Sequence, residues 1–214
     1  MTRIASVILE AQDPGAAEEF YTAAFGLGDR LQVRGTETPT SGFRGYILSL
    51  VVAQPGNVDA LMDAATRHGA TTLKAAQKSF WGYGGVLQAP DGAIWKIASS
   101  AKKDSGPTTR EIDDFVLLLG VADVKATKQF YAERGMTVAK SFGSKYVEFD
   151  SAGSPVKLAL YSRRAAAKDA GVAADGTGSH RLAIAGDGTP ITDPDGFAWE
   201  TATTGAGRVA SRPS

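Results

Sequence analysis

The chain has 214 residues, of which 43% are hydrophobic and 21% are charged, as in ordinary globular proteins. Lys plus Arg and Asp plus Glu both total 23, so the net charge is zero and a nucleic-acid partner is not expected. The chain has no Cys and two His, which excludes disulfides, thiolate metal sites and three-histidine zinc sites. Neither a signal-peptide core nor a run of about 20 apolar residues occurs, so we expect a cytoplasmic protein with no membrane partner.

The first half begins with a strand followed by a helix. Ile4–Ala11 is rich in β-branched residues and predicts a strand, and Asp13-Pro14 predicts the start of a helix that ends at Gly26. The later elements predicted in this half are a strand at Tyr46–Val52, a helix at Asn57–His68, and strands at Gly84–Gln88 and Ile94–Ala98.

The second half repeats this order. Phe115–Val121 predicts a strand, Asp123 a helix cap, and Val124–Arg134 a helix. Further strands are predicted at Tyr146–Asp150, Val156–Tyr161, His180–Ala185 and Phe197–Ala202. Only Gly186–Thr192 remains for a counterpart of the Asn57–His68 helix, so we expect no helix between Ala185 and Asp193.

Two motifs show that the halves are copies. Asp, Phe-Tyr and Gly occur in this order after Ile4–Ala11 and again after Phe115–Val121, and each copy ends in Pro-Asp-Gly-x-x-Trp, at Pro90–Trp95 and Pro194–Trp199. The segment between the copies is polar and interrupted by Gly-Pro, which is typical of a linker. The predicted organisation is a first domain at residues 1–100, a linker at 101–109, a second domain at 110–203 without the second helix, and a flexible tail at 204–214.

These motifs resemble the vicinal oxygen chelate superfamily, which includes glyoxalase I, bleomycin resistance proteins and extradiol dioxygenases. Trp81-Gly82 ahead of the first Pro-Asp-Gly turn fits the same pattern. The resemblance implies an α+β fold of tandem βαβββ units, with two half-barrel domains packed face to face through their sheets. It also implies a cleft for a small-molecule ligand or substrate, in a monomer or a homodimer.

The enzymes of this superfamily bind a divalent metal through His, Glu or Gln on the first and last strands of their units. In the first half, the positions that the resemblance assigns to these ligands hold Ser6, a residue near Ile47, and Lys96. None is a good metal ligand, and a lysine opposes a cation, so we expect no metal in the first half.

The second half contains a possible metal set of His180, Glu200 and Asp114. When the strand is instead aligned by counting back from the helix cap Asp123, the ligand position falls on Val116. The sequence therefore does not decide between Asp114 and Val116 at this position. Two carboxylates and one imidazole suit Mn, Fe, Ni or Zn. Each residue also has a structural interpretation: a packed histidine, a glutamate paired with Arg181, and a solvated aspartate.

Two functions therefore remain open. One is metal-independent binding of a small molecule, including an aromatic one, with Tyr46, Trp81, Tyr83 and Lys96 lining the cleft, although such aromatic residues also suit a core. The other is a metal-dependent glyoxalase-like lyase or isomerase, or a dioxygenase, that works from the second half. Because Lys96 and Glu200 occupy corresponding positions, we expect two chemically unlike clefts.

Overall fold

The computed structural model describes residues 3–151 and 153–202, so the predicted tail at 204–214 lies outside the described residues. The chain is of the α+β class and consists of four consecutive units, two in each half. None of the helices in the described ranges has the length and apolar character needed to cross a bilayer.

The first half contains two units. Unit 1 contains β1 (Ile4–Ala11), α1 (Pro14–Ala24), a short 3-10 turn (Gly28–Arg30), β2 (Leu31–Gly35) and β3 (Thr40–Gly42). Unit 2 is a complete βαβββ unit and contains β4 (Tyr46–Val51), α2 (Pro55–Arg67), β5 (Thr71–Ser79), β6 (Gly82–Gln88) and β7 (Ile94–Ser99).

The second half repeats this order with one helix lost and one gained. Unit 3 contains β8 (Asp114–Val121), α3 (Val124–Glu133), β9 (Val138–Phe142), β10 (Tyr146–Phe149) and β11 (Lys157–Ser162). A connection follows with α4 (Arg163–Ala170) and β12 (Gly176–Gly178). Unit 4 contains β13 (Leu182–Gly186), β14 (Ile191–Thr192) and β15 (Ala198–Thr201). The predicted absence of a helix between Ala185 and Asp193 is confirmed, whereas α4 was not predicted.

Both large sheets contain strands from both halves. The five-stranded sheet has the order β14-β15-β13-β1-β2, and the eight-stranded sheet has the order β5-β6-β7-β4-β8-β11-β10-β9. The halves meet where β1 pairs antiparallel with β13 and where β4 pairs antiparallel with β8. Tandem βαβββ units are thus confirmed. The prediction that each half packs a sheet of its own against the other half is wrong, because the first strands pair across the halves.

One hydrophobic core fills the space between the two sheets. It joins Phe20 of α1, Leu61 of α2 and Tyr131 of α3 to alternate residues of the strands in both sheets. We call the face of each sheet that points away from this core its outer face. The outer faces carry two smaller apolar clusters, one on each sheet.

Two local motifs explain the repeated sequence. Asp13 caps α1 and Asp123 caps α3, since each carboxylate accepts a backbone N–H of the first helical turn. In the Pro-Asp-Gly turns, Gly92 and Gly196 adopt φ values of 90° and 91°, a region in which side chains with a Cβ are strained.

A buried hydrogen-bond network connects the second Pro-Asp-Gly turn to α3. Asp193 accepts the Tyr131 hydroxyl at 2.7 Å and the backbone N–H groups of Asp195 and Phe197, and the Trp199 indole donates to Tyr131. Burial raises the pKa of the Asp193 carboxyl above its usual value, although these hydrogen bonds oppose the shift. The first half has Ala89 at the position of Asp193 and therefore lacks this network.

The predicted linker is irregular but is bound to the N-terminus of α2. The Gln54 side chain accepts the backbone N–H groups of Ser105 and Gly106 at 2.8 and 3.0 Å and donates to the carbonyl oxygens of Gly106 and Pro107. Asn57 makes a similar pair of hydrogen bonds with Thr109. Both amide side chains are buried while the linker is in place, so these hydrogen bonds are shielded from water.

We predict that Gln54→Ala exposes the linker to trypsin. The substitution removes the hydrogen bonds that hold Ser105–Pro107, so cleavage after Lys102 or Lys103 should become at least about fivefold faster, the change expected when about 1 kcal/mol of hydrogen bonding is lost. Gln129→Ala on the exposed face of α3 is the control and should leave the cleavage rate unchanged. Equal rates for the two variants would contradict this role of Gln54.

We also predict a pH-dependent effect of Asp193→Asn. The folded state holds the Asp193 proton more tightly than the unfolded state, so the stability that protonation contributes is complete below the unfolded pKa of about 3.9 and is lost as pH rises through the raised folded pKa. The amide cannot ionise, so the free energy of unfolding of the variant should improve relative to the parent as pH rises from about 4 to 7. Urea denaturation at several pH values measures this, with the exposed Glu111→Gln as the control. A pH-independent difference would refute it.

Candidate functional site

One position is common to all four units and is marked by a pair of apolar residues that face the core. In each unit a core-facing residue of the first strand pairs with a core-facing residue of a parallel strand, which is β2 in unit 1 and the last strand in the other units. The four pairs are Val7 with Leu31, Leu48 with Trp95, Leu117 with Leu158, and Ile184 with Trp199. Within each sheet the first-strand members also face each other across the halves, as Val7 faces Ile184.

Side chains alternate along a strand, so the neighbours of these buried pairs lie on the outer faces. We call the residue before the first-strand member of each pair and the residue after its partner the outer set. On the five-stranded sheet the outer set is Ser6, Gln32, Ala183 and Glu200. On the eight-stranded sheet it is Ile47, Lys96, Val116 and Ala159. The two sets are chemically unlike, with a carboxylate in one and an ammonium in the other.

The outer set of the five-stranded sheet is part of a charged network. Arg34 donates to Glu10 and to Glu200, with Nη2 at 2.5 Å from a Glu10 oxygen and at 2.8 Å from a Glu200 oxygen. Gln32 donates to the Ser6 hydroxyl at 3.1 Å. The network lies beside the apolar cluster of Ile8, Ala183 and Ala185.

The charges of this network reinforce one another. The hydrogen bond to Glu200, followed by that to Glu10, raises the pKa of the Arg34 guanidinium further above its already high value. Arg34 is therefore a permanent cation, and its side chain is 43% exposed. It can present an N–H donor to a ligand while both carboxylates hold it in place.

A divalent metal does not fit this network as it stands. One guanidinium nitrogen binds both carboxylates, and so occupies the position between Glu10 and Glu200 that a cation would take. The remaining members of the outer set are a hydroxyl, an amide and a methyl group. The residues that the structure describes contain no group of three or more His, Asp or Glu side chains that could hold a metal ion.

The three residues predicted to bind metal are not brought together. Asp114 lies at the start of β8 on the eight-stranded sheet and pairs with Lys157 at 2.8 Å. Glu200 lies on the five-stranded sheet. His180 precedes β13, with Nδ1 at 2.5 Å from the Arg44 carbonyl, Nε2 at 3.0 Å from the Asp195 carbonyl, and its ring stacked on Phe197. Both ring nitrogens of His180 are thus engaged, and the outer-set position on β13 is occupied by Ala183.

The four residues predicted to bind a ligand are also dispersed. Tyr46 is buried in the core between the sheets, and Tyr83 faces α2 and donates to Asp59 at 2.8 Å. Trp81 is 84% exposed at the tip of the β5–β6 hairpin. Lys96 is on the outer face of the eight-stranded sheet and pairs with Asp169 of α4 at 2.6 Å.

The sequence analysis missed Glu10, Gln32 and Arg34. The available signal was on β2, where Gln32 and Arg34 alternate with the apolar residues Leu31 and Val33. The sequence analysis did not predict the strand β2, so the alternation of Gln32 and Arg34 was not interpreted as one face of a strand.

The fold is found in solved structures of low sequence identity. Glyoxalase I from Zea mays superposes with a TM-score of 0.59 at 13% identity, over 92% of this chain and 90% of that one. A proposed dioxygenase from Bacillus subtilis superposes with a TM-score of 0.57 at 13% identity, over 86% of this chain and 70% of that one. No protein-family model matches the sequence, and no curated protein sequence matches it significantly. The chain therefore has the glyoxalase fold, which confirms the fold that its motifs imply.

We predict that Arg34→Gln converts the network into a weak metal site. Without the guanidinium, the Glu10 and Glu200 carboxylates face each other beside Gln32 and Ser6, and such oxygen ligands suit Mn²⁺. Mn²⁺ should then raise the melting temperature of the variant by several degrees and leave the parent unchanged, since binding to the folded state alone stabilises it.

Arg110→Gln is the control for this experiment, because Arg110 is an exposed arginine that donates to a backbone carbonyl. Without metal, Arg34→Gln should lose about 1 kcal/mol of stability or less, as is usual for exposed ion pairs. If Mn²⁺ affects Arg34→Gln no more than the parent, Arg34 does not occupy a cation position.

Proposed function

We propose that the protein binds a small polar molecule on the outer face of the five-stranded sheet, and that Arg34 supplies the positive charge. The network of Glu10, Arg34 and Glu200 is the observation that carries this proposal. Charged and polar groups converge there next to the register position that all four units share, where Ser6, Gln32 and Glu200 lie. Solvent reaches the network, whereas α4 covers the corresponding face of the other sheet.

The network indicates which groups a ligand would carry. The Arg34 guanidinium would donate to a carbonyl or carboxylate oxygen, and the two glutamates would accept from hydroxyl or amine groups. Ile8 and the two alanines of the same face would contact an apolar part of the ligand, including an aromatic ring. This is metal-independent binding of the bleomycin-resistance type, in the same fold as glyoxalase I.

The alternative is a metal-dependent lyase, isomerase or dioxygenase working from the second half. It requires further ligands beside Glu200, and His180 is held by two carbonyl groups instead. Elemental analysis of the purified protein separates the two functions. Stoichiometric Mn, Fe, Ni or Zn that a chelator removes would support the metal-dependent alternative.

We predict that ligands of the proposed site depend on Arg34. Thermal-shift screening of hydroxy acids, oxo acids and aromatic acids should find compounds that stabilise the parent. Arg34→Gln should weaken their binding at least about tenfold, which corresponds to loss of one charge-assisted hydrogen bond of about 1.4 kcal/mol or more. Glu200→Gln should weaken hydroxyl-bearing compounds more than compounds without a hydroxyl.

Arg110→Gln serves again as the control and should bind every compound as the parent does. Compounds that stabilise the parent and both arginine variants equally would show that they bind elsewhere, and the proposal would fail. Isothermal titration of the confirmed compounds gives the affinities.

A further inference from the structure

The second edge of β2, the edge that faces away from β1, distinguishes unit 1 from the other units. In those three units the strand that corresponds to β2 has an antiparallel neighbour on this side: β6 beside β7, β10 beside β11, and β14 beside β15. β2 instead ends the five-stranded sheet, and no strand of the described ranges pairs with its second edge. Unit 1 therefore has an open strand position, which we call the β2 edge.

The neighbouring strands of the other units cover the core with apolar side chains. Leu87 of β6 lies opposite Trp95, and Ile191 of β14 lies opposite Trp199. Trp95 and Trp199 are 0% and 2% exposed. Leu31, at the corresponding position of β2, is only half-buried. Without a neighbouring strand, the core at the β2 edge is thus partly exposed.

The backbone groups of β2 are oriented to receive another strand. The backbone N–H of Thr36 donates to the carbonyl oxygen of Ala11 on β1. Because backbone groups alternate in direction along a strand, those of Val33 and Gly35 point away from β1 and towards the open edge. Such a row of N–H and C=O groups is a template for the addition of an extended segment.

A groove of about 450 Å³ lies between α1 and β2 beside this edge. Its apolar lining includes Leu27 and Leu31, and its charged lining residues are Glu18 and Asp29. An adjoining groove along α1 adds Glu19. All charged side chains that line the two grooves are acidic, so a segment that carries lysine or arginine would complement them.

We propose that the β2 edge binds an extended, basic segment of a partner protein, which adds to the five-stranded sheet as an antiparallel strand. The segment would take the position that β6 has in unit 2, with an apolar side chain opposite Leu31 and with basic side chains near Glu18 and Asp29. This interaction uses the backbone of β2 and the groove beside α1, whereas the ligand proposed above binds the Arg34 side chain on the outer face. Either proposal can therefore fail without the other.

The experiment uses a fluorescein-labelled probe peptide of the sequence Lys-Val-Thr-Val-Thr-Leu-Lys. Its apolar residues alternate with threonine, which suits a strand with one buried face, and its lysines supply the positive charge. A control peptide has glutamate in place of both lysines. Fluorescence anisotropy should show that the parent binds the lysine peptide about tenfold more tightly, the difference expected for two exposed charge pairs.

Two methylated peptides test strand addition without any change to the protein. The core-facing residues of β2 point their backbone groups to the open edge, so they exchange hydrogen bonds with the core-facing residues of an antiparallel segment. N-methylation of the central valine should therefore weaken binding at least about tenfold. N-methylation of the threonine that follows it, whose N–H points away from β2, should leave the affinity within about twofold.

Matched pairs of protein variants test the acidic groove. Glu18→Gln combined with Asp29→Asn should weaken the lysine peptide about fivefold and leave a peptide with glutamine in place of both lysines unchanged. Glu111→Gln combined with Asp113→Asn removes two exposed carboxylates elsewhere and should change neither peptide.

Two further variants separate the β2 edge from the Arg34 network. Val33→Pro removes an N–H from the open edge and should weaken the lysine peptide at least about tenfold. Arg34→Gln should leave its affinity within about twofold of the parent, and chemical-shift mapping should place the peptide on β2 and α1. Near-ultraviolet circular dichroism establishes that each variant is folded.

Three results would overturn this proposal. One is that the parent binds the lysine peptide no better than the glutamate peptide, and another is that the two methylated peptides bind equally well. The third is a dimer of the parent in sedimentation velocity that Val33→Pro abolishes, because the β2 edge would then bind a second copy of this chain and not a partner's segment.

Discussion

Two antiparallel strand pairings hold the molecule together: β1 with β13, and β4 with β8. Each pairing joins the first strand of a unit in one half to the first strand of a unit in the other half. As a result each large sheet contains strands from both halves. Removing the second half would leave the edges of β1 and β4 without their partner strands. The core between the sheets depends on the same pairings, because α1, α2 and α3 are enclosed only when both sheets are complete.

The pairings also bring the corresponding outer-set positions of the four units together in pairs, one pair on each sheet, and these positions hold chemically different residues. In each unit the pair next to these positions is apolar and faces the core, so the core constrains only the residues that point inwards. The outer residues were free to diverge, and they range from Glu200 to Lys96 to alanine. On the five-stranded sheet a charged network around Arg34 lies beside these positions. On the eight-stranded sheet the helix α4 covers them. Among the residues that the structure describes, neither sheet brings together three carboxylate or imidazole side chains there.

Several features were predicted correctly because they depend on local physics. Asp13 and Asp123 were identified as helix caps, and the Pro-Asp-Gly turns as turns, because each depends on a few consecutive residues. Ser6, Lys96 and Glu200 lie on outer faces in the structure, and alternation along a strand explains this, because the residues beside them face the core. The α4 helix also has local signals: a serine cap, several alanines and a glycine, Gly171, in the left-handed conformation at its end. These signals were sufficient to predict the helix from the sequence.

The chain by itself determined the repeat, the α+β class, the unit pattern and the alternation of inner and outer residues, all of which depend on neighbours in sequence. Only the tertiary structure decided which outer residues meet. Arg34 reaches Glu10 on the adjacent strand and Glu200 on a strand far along the chain, and Asp169 reaches Lys96 from a helix in the other half. The partners of His180 could not be predicted either. The sequence predicted a strand from His180, but β13 begins at Leu182, and the two carbonyl groups that His180 contacts come from distant loops. Contacts between distant segments are set by strand pairing across the halves, and no local pattern encodes that pairing.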